Sequence, residues 1–291
     1  MAINILLTGA NGQLGLEICK IATRYHEFTL FPTDVDTLNI CKQAAVERFV
    51  TGNSIDYIIN CAAYTAVDKA ESDTDTCFAI NCDAVGNLAS AGRAKIIHIS
   101  TDYVFDGQGN RPIKETDAAS PQSVYGASKL AGEKLLQTIS RNTSIIIRTA
   151  WLYSSFGSNF VKTMIRLGQE RDSLNVVNDQ FGTPTSASSL AQAIMEIISF
   201  NEKHSTFPSG IYHFTDEGVC TWYDFCLEIH KLAGITSCRV NPVPSSDYPS
   251  PAKRPAYSVL DKTKIKNTFK LEIPQWEDSL QQCITLLNEI N

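Results

Sequence analysis

A short apolar run, Ile3 to Leu7, feeds directly into Thr8-Gly-Ala-Asn-Gly-Gln-Leu-Gly15, and helical composition continues from Leu14 to Ile21. Few local patterns restrict a fold as tightly. A strand ending in glycines three apart and opening a helix is the context of a dinucleotide fingerprint. Gly9 permits the tight turn, Gly12 lets backbone approach a pyrophosphate, and Gly15 allows close helix packing. The helix N-terminus then presents N–H groups to the phosphate charge.

Strands and helices alternate through the first half. Strands are expected at Phe28–Phe31, Ile55–Asn60, Ile96–Ile99 and Ser144–Arg148, with helices over Phe78–Ala91 and Val124–Thr138. Alternation of this kind implies a parallel sheet wound on both faces, with its ligand site at the strands' carboxyl ends. The fold class is therefore α/β, a doubly wound, Rossmann-type parallel sheet with a smaller α/β C-terminal substrate-binding lobe. Residues 1–150 form the dinucleotide-binding domain, 188–215 return to it, and 151–291 form the lobe. Helices at Asn159–Arg171, Ser189–Ser199, Thr221–Ala233 and Trp276–Leu287, strands at Leu174–Val177 and Gly210–Phe214, and a proline-rich loop at 242–255 complete the second half.

A carboxylate about 20 residues past the glycine loop is where adenosine ribose hydroxyls are held. Asp34 is the candidate and Asp36 the alternative. Either disfavours a 2′-phosphate and so tilts the coenzyme toward NAD over NADP, unless Lys42 reverses the preference. Small residues in Cys61-Ala-Ala-Tyr64 let a flat cofactor lie against the backbone. Tyr64, Thr101 and Trp151 all fall at strand ends, and His98, inside its strand, reads as a core or sheet-face histidine.

The net charge of −6 argues against nucleic acid as a partner. No apolar run reaches membrane-spanning length, and the N-terminus from Met1 reads as a strand, not a signal peptide. Nine scattered cysteines without metal-ligand spacing read as reduced thiols of a cytoplasmic protein.

Ser123-Val-Tyr-Gly-Ala-Ser-Lys129 places Tyr125 and Lys129 at i,i+4, on one face of a helix. An ammonium beside a phenol favours the phenolate, so this spacing predicts a Tyr125 that exchanges its proton more readily than a free phenol.

These motifs together resemble the extended short-chain dehydrogenase/reductase superfamily over essentially the whole length, and within it the dTDP-4-dehydrorhamnose reductase family. The segments that carry the second resemblance are Ala66–Glu71, Ser100-Thr-Asp-Tyr-Val-Phe105, Val124–Glu133, Arg148-Thr-Ala-Trp151, Asp179–Thr185 and Arg254-Pro255. It implies Tyr125 as proton donor, Lys129 as ribose ligand that lowers the Tyr125 pKa, and Thr101 as hydrogen-bond partner of the reacting oxygen. It implies NADPH or NADH held by Gly9, Gly12, Gln13, Leu14, Gly15, Asp34, Asn39, Ile40, Ala62, Ala63, Tyr64, Tyr125 and Lys129. A nucleotide-sugar substrate would meet Val67, Thr101, Asp102, Tyr125 and Trp151, with Arg254 clamping its diphosphate.

Two departures matter. Sugar-nucleotide dehydratases of the superfamily carry Asp-Glu after the threonine, whereas this chain has Asp102-Tyr103, which argues for simple ketoreduction. Some reductases of the family dimerise through magnesium held by glutamates. Glu17 matches one of these, but Ser188 stands where another is expected, so no metal is expected and a homodimer is left open. Two other readings fit the same motifs: a reductase or epimerase of another nucleotide sugar, and a dinucleotide-binding regulatory subunit like that of methionine adenosyltransferase.

Overall fold

The β-branched runs do form the centre of the protein. In the computed structural model, which describes residues 2–290 and so leaves Met1 outside, six strands make one parallel sheet. They are β1 (Ile3–Thr8), β2 (Phe28–Thr33), β3 (Tyr57–Asn60), β4 (Lys95–Thr101), β5 (Ser144–Thr149) and β6 (Gly210–His213), in spatial order β6-β5-β4-β3-β1-β2. Alternation within these strands supplies two apolar faces. Ile5, Leu7, Ile59, Ile97, Ile145 and Ile147 pack with Leu14 and Ile18 of α1 (Gln13–Ala22) and with a long helix at Ala187–His204. Leu6, Ile58, Ile96 and Ile146 pack on the opposite side, against Val46 and Val50 of a helix at Gln43–Gly52 and Leu136 of α2 (Val124–Ser140).

Helix α2 is the element the site depends on. Ser123 caps it, its hydroxyl accepting from the Gly126 amide at 3.1 Å. It is tied to β5 by a buried ion pair: Arg148 Nε and Nη2 donate to the two carboxylate oxygens of Glu133 at 2.9 and 2.6 Å. The Ser100 hydroxyl donates to the same carboxylate. Tyr125 and Lys129 therefore have a fixed height above the sheet.

The expected helix over Phe78–Ala91 is not continuous. Helical turns at Thr74–Phe78 and Ala84–Ser90 flank a wide turn with i→i+5 geometry at Ala79–Asp83. Fully buried Asn81 accounts for it. Its Oδ1 accepts from the Tyr64 amide at 2.9 Å, while its Nδ2 donates to the Tyr64 carbonyl at 3.1 Å and to Ser128 Oγ at 3.0 Å. The bulge turns Asn81 inward to clamp the loop after β3.

The smaller lobe has its own core, in which Tyr153, Val161, Leu174, Phe225, Ile229, Trp276 and Leu280 are buried together. Helices at Phe160–Glu170, Trp222–Leu232 and Trp276–Ile290 supply much of it. The predicted strand at 174–177 pairs in parallel with Arg239–Val243, whose last two residues belong to the stretch expected to be a proline-rich loop. A further helix at Thr263–Phe269 brings Ile265 and Phe269 back to the main core.

Candidate active site

A cleft of about 720 Å³ opens at the carboxyl ends of the parallel strands, where an open α/β sheet places its ligand. Its floor at one end is the glycine loop. Gly9 has φ +69°, and a Cβ there would lie 2.6 Å from the Ala62 amide nitrogen. The loop therefore abuts the strand end after β3 with no room for a side chain. Helix α1 starts from Gly12 with no side chain capping it, so its first N–H groups face the cleft uncapped. A bare helix start and a close-approach glycine turn fit a dinucleotide's pyrophosphate.

Asp34 marks the far end of the same floor. Its carboxylate accepts from the Asn11 amide at 3.0 Å and the Val35 amide at 2.7 Å, bridging the glycine loop to the end of β2. Asp34 lines the cleft, as do Val35, Asn39 and Ile40, whereas Asp36 and Lys42 are exposed outside it. Lys129 is the one Lys or Arg lining the cleft among the described residues.

Thr101, Asp102, Tyr125, Lys129 and Trp151 converge on the other end, beside Ala62, Ala63 and Val67. Tyr125 is half-buried, its ring edge-on to Tyr103 with centroids 5.5 Å apart. Burial raises its phenol pKa; the Thr101 hydroxyl offsets part of the rise and the Asp102 charge adds to it. This reverses the expected lowering by Lys129. The reason is direction: Lys129 Nζ donates to the Ile99 carbonyl at 2.7 Å and lies 3.4 Å from His98 Nε2. Lys129 itself is buried, which lowers its pKa to about 8 although Glu133 pulls it upward.

Asp102 is 3% exposed, and burial pushes its carboxyl up to about 6. One oxygen accepts from the Thr101 hydroxyl at 3.0 Å, and this bond and the Ser258 hydroxyl offset part of the rise. An unfolded carboxyl titrates near 3.8. Between those two values the folded chain keeps a proton that the unfolded chain has released, so stability falls as pH rises across that window and stays lower above it. Asp102→Asn is expected to stabilise the protein at pH 7 by about 1–3 kcal/mol and to flatten that part of the profile. Urea denaturation at pH 4, 5.5 and 7 measures it.

Trp151 forms a fixed wall. It adopts φ +49°, a left-handed conformation rare for a bulky residue, and stacks on Trp222 with centroids 3.6 Å apart. A Cβ at Gly182 would meet its ring at 2.6 Å. Strain of this kind, maintained by packing, is characteristic of functional sites.

Two predicted site residues lie elsewhere. The Tyr64 hydroxyl donates to Asp73 at 3.0 Å and its backbone is clamped by Asn81, so it does not line the cleft. Arg254 makes a bidentate ion pair with Asp68, at 3.0 and 2.8 Å, beside a small separate depression near Tyr103 and Pro255. Asp68, which accepts both bonds, was not among the expected site residues. Neither were Thr8, Thr65, Ile80, Tyr103 and Thr149, which line the cleft. Thr8 and Thr149 end strands and Thr65 and Tyr103 follow strand ends, which was the available signal; Ile80, in the wide turn, carried none. Glu17 is buried, accepting from the Ser154 hydroxyl at 2.7 Å. Among the described residues no group of three or more acidic, His or Cys side chains is arranged to hold a metal.

The profile of the RmlD substrate binding domain family matches residues 3–289. The chain belongs to this family. Similar members include a dTDP-4-dehydrorhamnose reductase of Aggregatibacter actinomycetemcomitans, 40% identical over 95% of this chain and 97% of that one. A crystal structure of a dTDP-4-dehydrorhamnose reductase from Clostridium acetobutylicum superposes with TM-score 0.92 and 45% identity, covering 98% of this chain and 100% of that one. Another, from Bacillus anthracis and in complex with NADP, gives TM-score 0.90 and 37% identity over 98% of this chain and 100% of that one.

Proposed function

We propose that this chain reduces the 4-keto group of dTDP-4-dehydro-6-deoxy-L-mannose to give dTDP-L-rhamnose, for cell-surface polysaccharide synthesis, with NADPH or NADH as coenzyme. The observation that carries the reading is the convergence of Thr101, Tyr125 and Lys129 on one cleft with an uncapped, glycine-rich helix start, in a chain of this family. The coenzyme is assigned to the sheet of residues 1–150 and the sugar nucleotide to the lobe of 151–291. On this reading the enzyme works in the cytoplasm, and among the described residues no helix is long and apolar enough to cross a membrane.

When bound, the reduced nicotinamide supplies a hydride to the keto carbon. Gly9, Gly12, Gln13, Leu14 and Gly15 would hold the pyrophosphate, and Asp34, Asn39 and Ile40 the adenosine. Lys129 would hold the nicotinamide ribose. Thr101 orients the keto oxygen, and Tyr125 protonates it as negative charge develops. A phenol with a raised pKa stays protonated throughout the neutral range, which suits a donor in the reducing direction. Above about pH 8 Lys129 loses its charge, and with it the electrostatic pull on developing negative charge. Asp102, which lines the cleft, would accept from a sugar hydroxyl, and Val67 and the Trp151 wall would flank the sugar. Arg254 could reach a diphosphate only by releasing Asp68. Tyr103 stands where the dehydratases carry a glutamate and supplies no carboxylate, which favours ketoreduction over water elimination.

The test is loss of reduced-coenzyme absorbance with dTDP-4-dehydrorhamnose against UDP- and GDP-linked 4-keto sugars. Turnover confined to another nucleotide sugar would overturn the substrate assignment. Asp34 lines the cleft, and among the described residues the one Lys or Arg there is Lys129, so Asp34→Arg is expected to raise the NADPH-to-NADH ratio of kcat/KM by about tenfold or more. Parallel titrations with the two coenzymes read it.

A further inference from the structure

A row of polar side chains crosses the sheet beneath the glycine loop. Thr8, Asn60 and His98 are register partners on adjacent strands β1, β3 and β4. They share the face that is otherwise lined by Leu6, Ile58 and Ile96. All three are buried, and they touch in sequence: Thr8 Oγ to Asn60 Oδ1 at 2.7 Å, and Asn60 Nδ2 to His98 Nδ1 at 2.9 Å. The other imidazole nitrogen, Nε2, lies 3.4 Å from Lys129 Nζ. A polar row in a sheet core needs every member satisfied, and here its two ends are the cleft residues Thr8 and Lys129.

We propose that His98 is a positioning residue for Lys129, and that the Thr8–Asn60–His98 row couples the protonation of Lys129 to the hydroxyl direction at the glycine loop. The inference rests on Lys129 serving the reaction as read above. Its basis is the count of donors and acceptors. A neutral imidazole carries one proton. If Lys129 is an ammonium, it donates to His98 Nε2; the Asn60 side-chain amide is then turned end for end from its orientation in the structure, so that Nδ1–H donates to its carbonyl oxygen and its NH2 group donates to Thr8. A neutral Lys129 amine gains a lone pair that can accept, and every bond can then reverse. His98 Nε2–H donates to Lys129, the Asn60 amide donates to Nδ1, and the Thr8 hydroxyl donates to Asn60. The row thus has two self-consistent polarities with His98 neutral, and the second opens only once Lys129 has lost a proton. Burial and the Lys129 charge both lower the imidazole pKa, so the ring stays neutral. The other titratable groups acting on the pair are Glu133 on α2, Cys61 after β3 and Cys77 in the turn Thr74–Phe78.

Nitrogen-15 NMR of the imidazole, on the full chain without coenzyme or sugar, tests the coupling directly. His98 is expected to carry its proton on Nδ1 at pH 6 and on Nε2 well above pH 8, the value near which Lys129 titrates; in Lys129→Met the switch should vanish. One unchanged tautomer from pH 6 to 10 in the wild type, or an imidazolium, overturns the proposal. This readout needs no turnover, so it fails independently of the substrate assignment. In steady state His98→Gln should lower kcat by about ten- to hundredfold and displace the alkaline limb, with the sugar KM little changed. Unchanged kcat and an unchanged limb would equally contradict it.

Discussion

Tyr125→Phe is expected to lower kcat for ketone reduction by about 10²- to 10⁴-fold, the usual contribution of a positioned general acid. The substitution removes one hydroxyl and keeps the ring. The edge contact with Tyr103 and the packing of the cleft wall should therefore survive. Coenzyme affinity, measured by fluorescence titration of the reduced coenzyme, should change by no more than about threefold, since a single peripheral hydrogen bond is at stake. The combination is diagnostic. A loss confined to KM would mean that Tyr125 merely binds, and a loss of coenzyme affinity would mean that the cleft had rearranged.

The second large effect falls on stability. Glu133→Ala leaves Arg148 nearly fully buried with no counter-charge, because its guanidinium is otherwise engaged only over the Phe105 ring at 5.0 Å. Breaking one side of a buried ion pair costs about 3–5 kcal/mol. Replacing both partners by apolar residues, as in Glu133→Leu with Arg148→Met, should recover most of that loss, since the desolvation cost of both charges disappears as well. Urea midpoints of the single and double variants give the comparison. If the double variant is as unstable as the single one, the pair is stabilising in itself. The pair also sets the height of α2, so the double variant should fold but turn over slowly.

What could be read from sequence was what is local. The strand, glycine turn and helix of residues 3–22 are specified by neighbours in the chain, and they appear where composition places them. Spacing put Tyr125 and Lys129 on one helix face, and both line the cleft. It could not show where the ammonium points, because the Ile99 carbonyl and His98 lie 30 and 31 residues away. The same limit hid the Asp68–Arg254 pair, whose members are 186 residues apart. It also hid the Asn81 clamp that bends the helix after residue 78. His98 read as a buried sheet residue, which it is. Its contact with Lys129 emerges only from the packing of α2 over β4. The helix at Gln43–Gly52 does not stand out in the sequence, because only its Val46 and Val50 are buried, too sparse an apolar stripe.

The most direct measurement is hydride transfer itself. With the reduced coenzyme deuterated at C4 of the nicotinamide and dTDP-4-dehydrorhamnose as acceptor, the product should carry one deuterium at C4 of the sugar, in equal amount to the coenzyme oxidised. Tyr125→Phe should slow its appearance without changing its position. Binding of both ligands with no deuterium in the sugar would contradict the account.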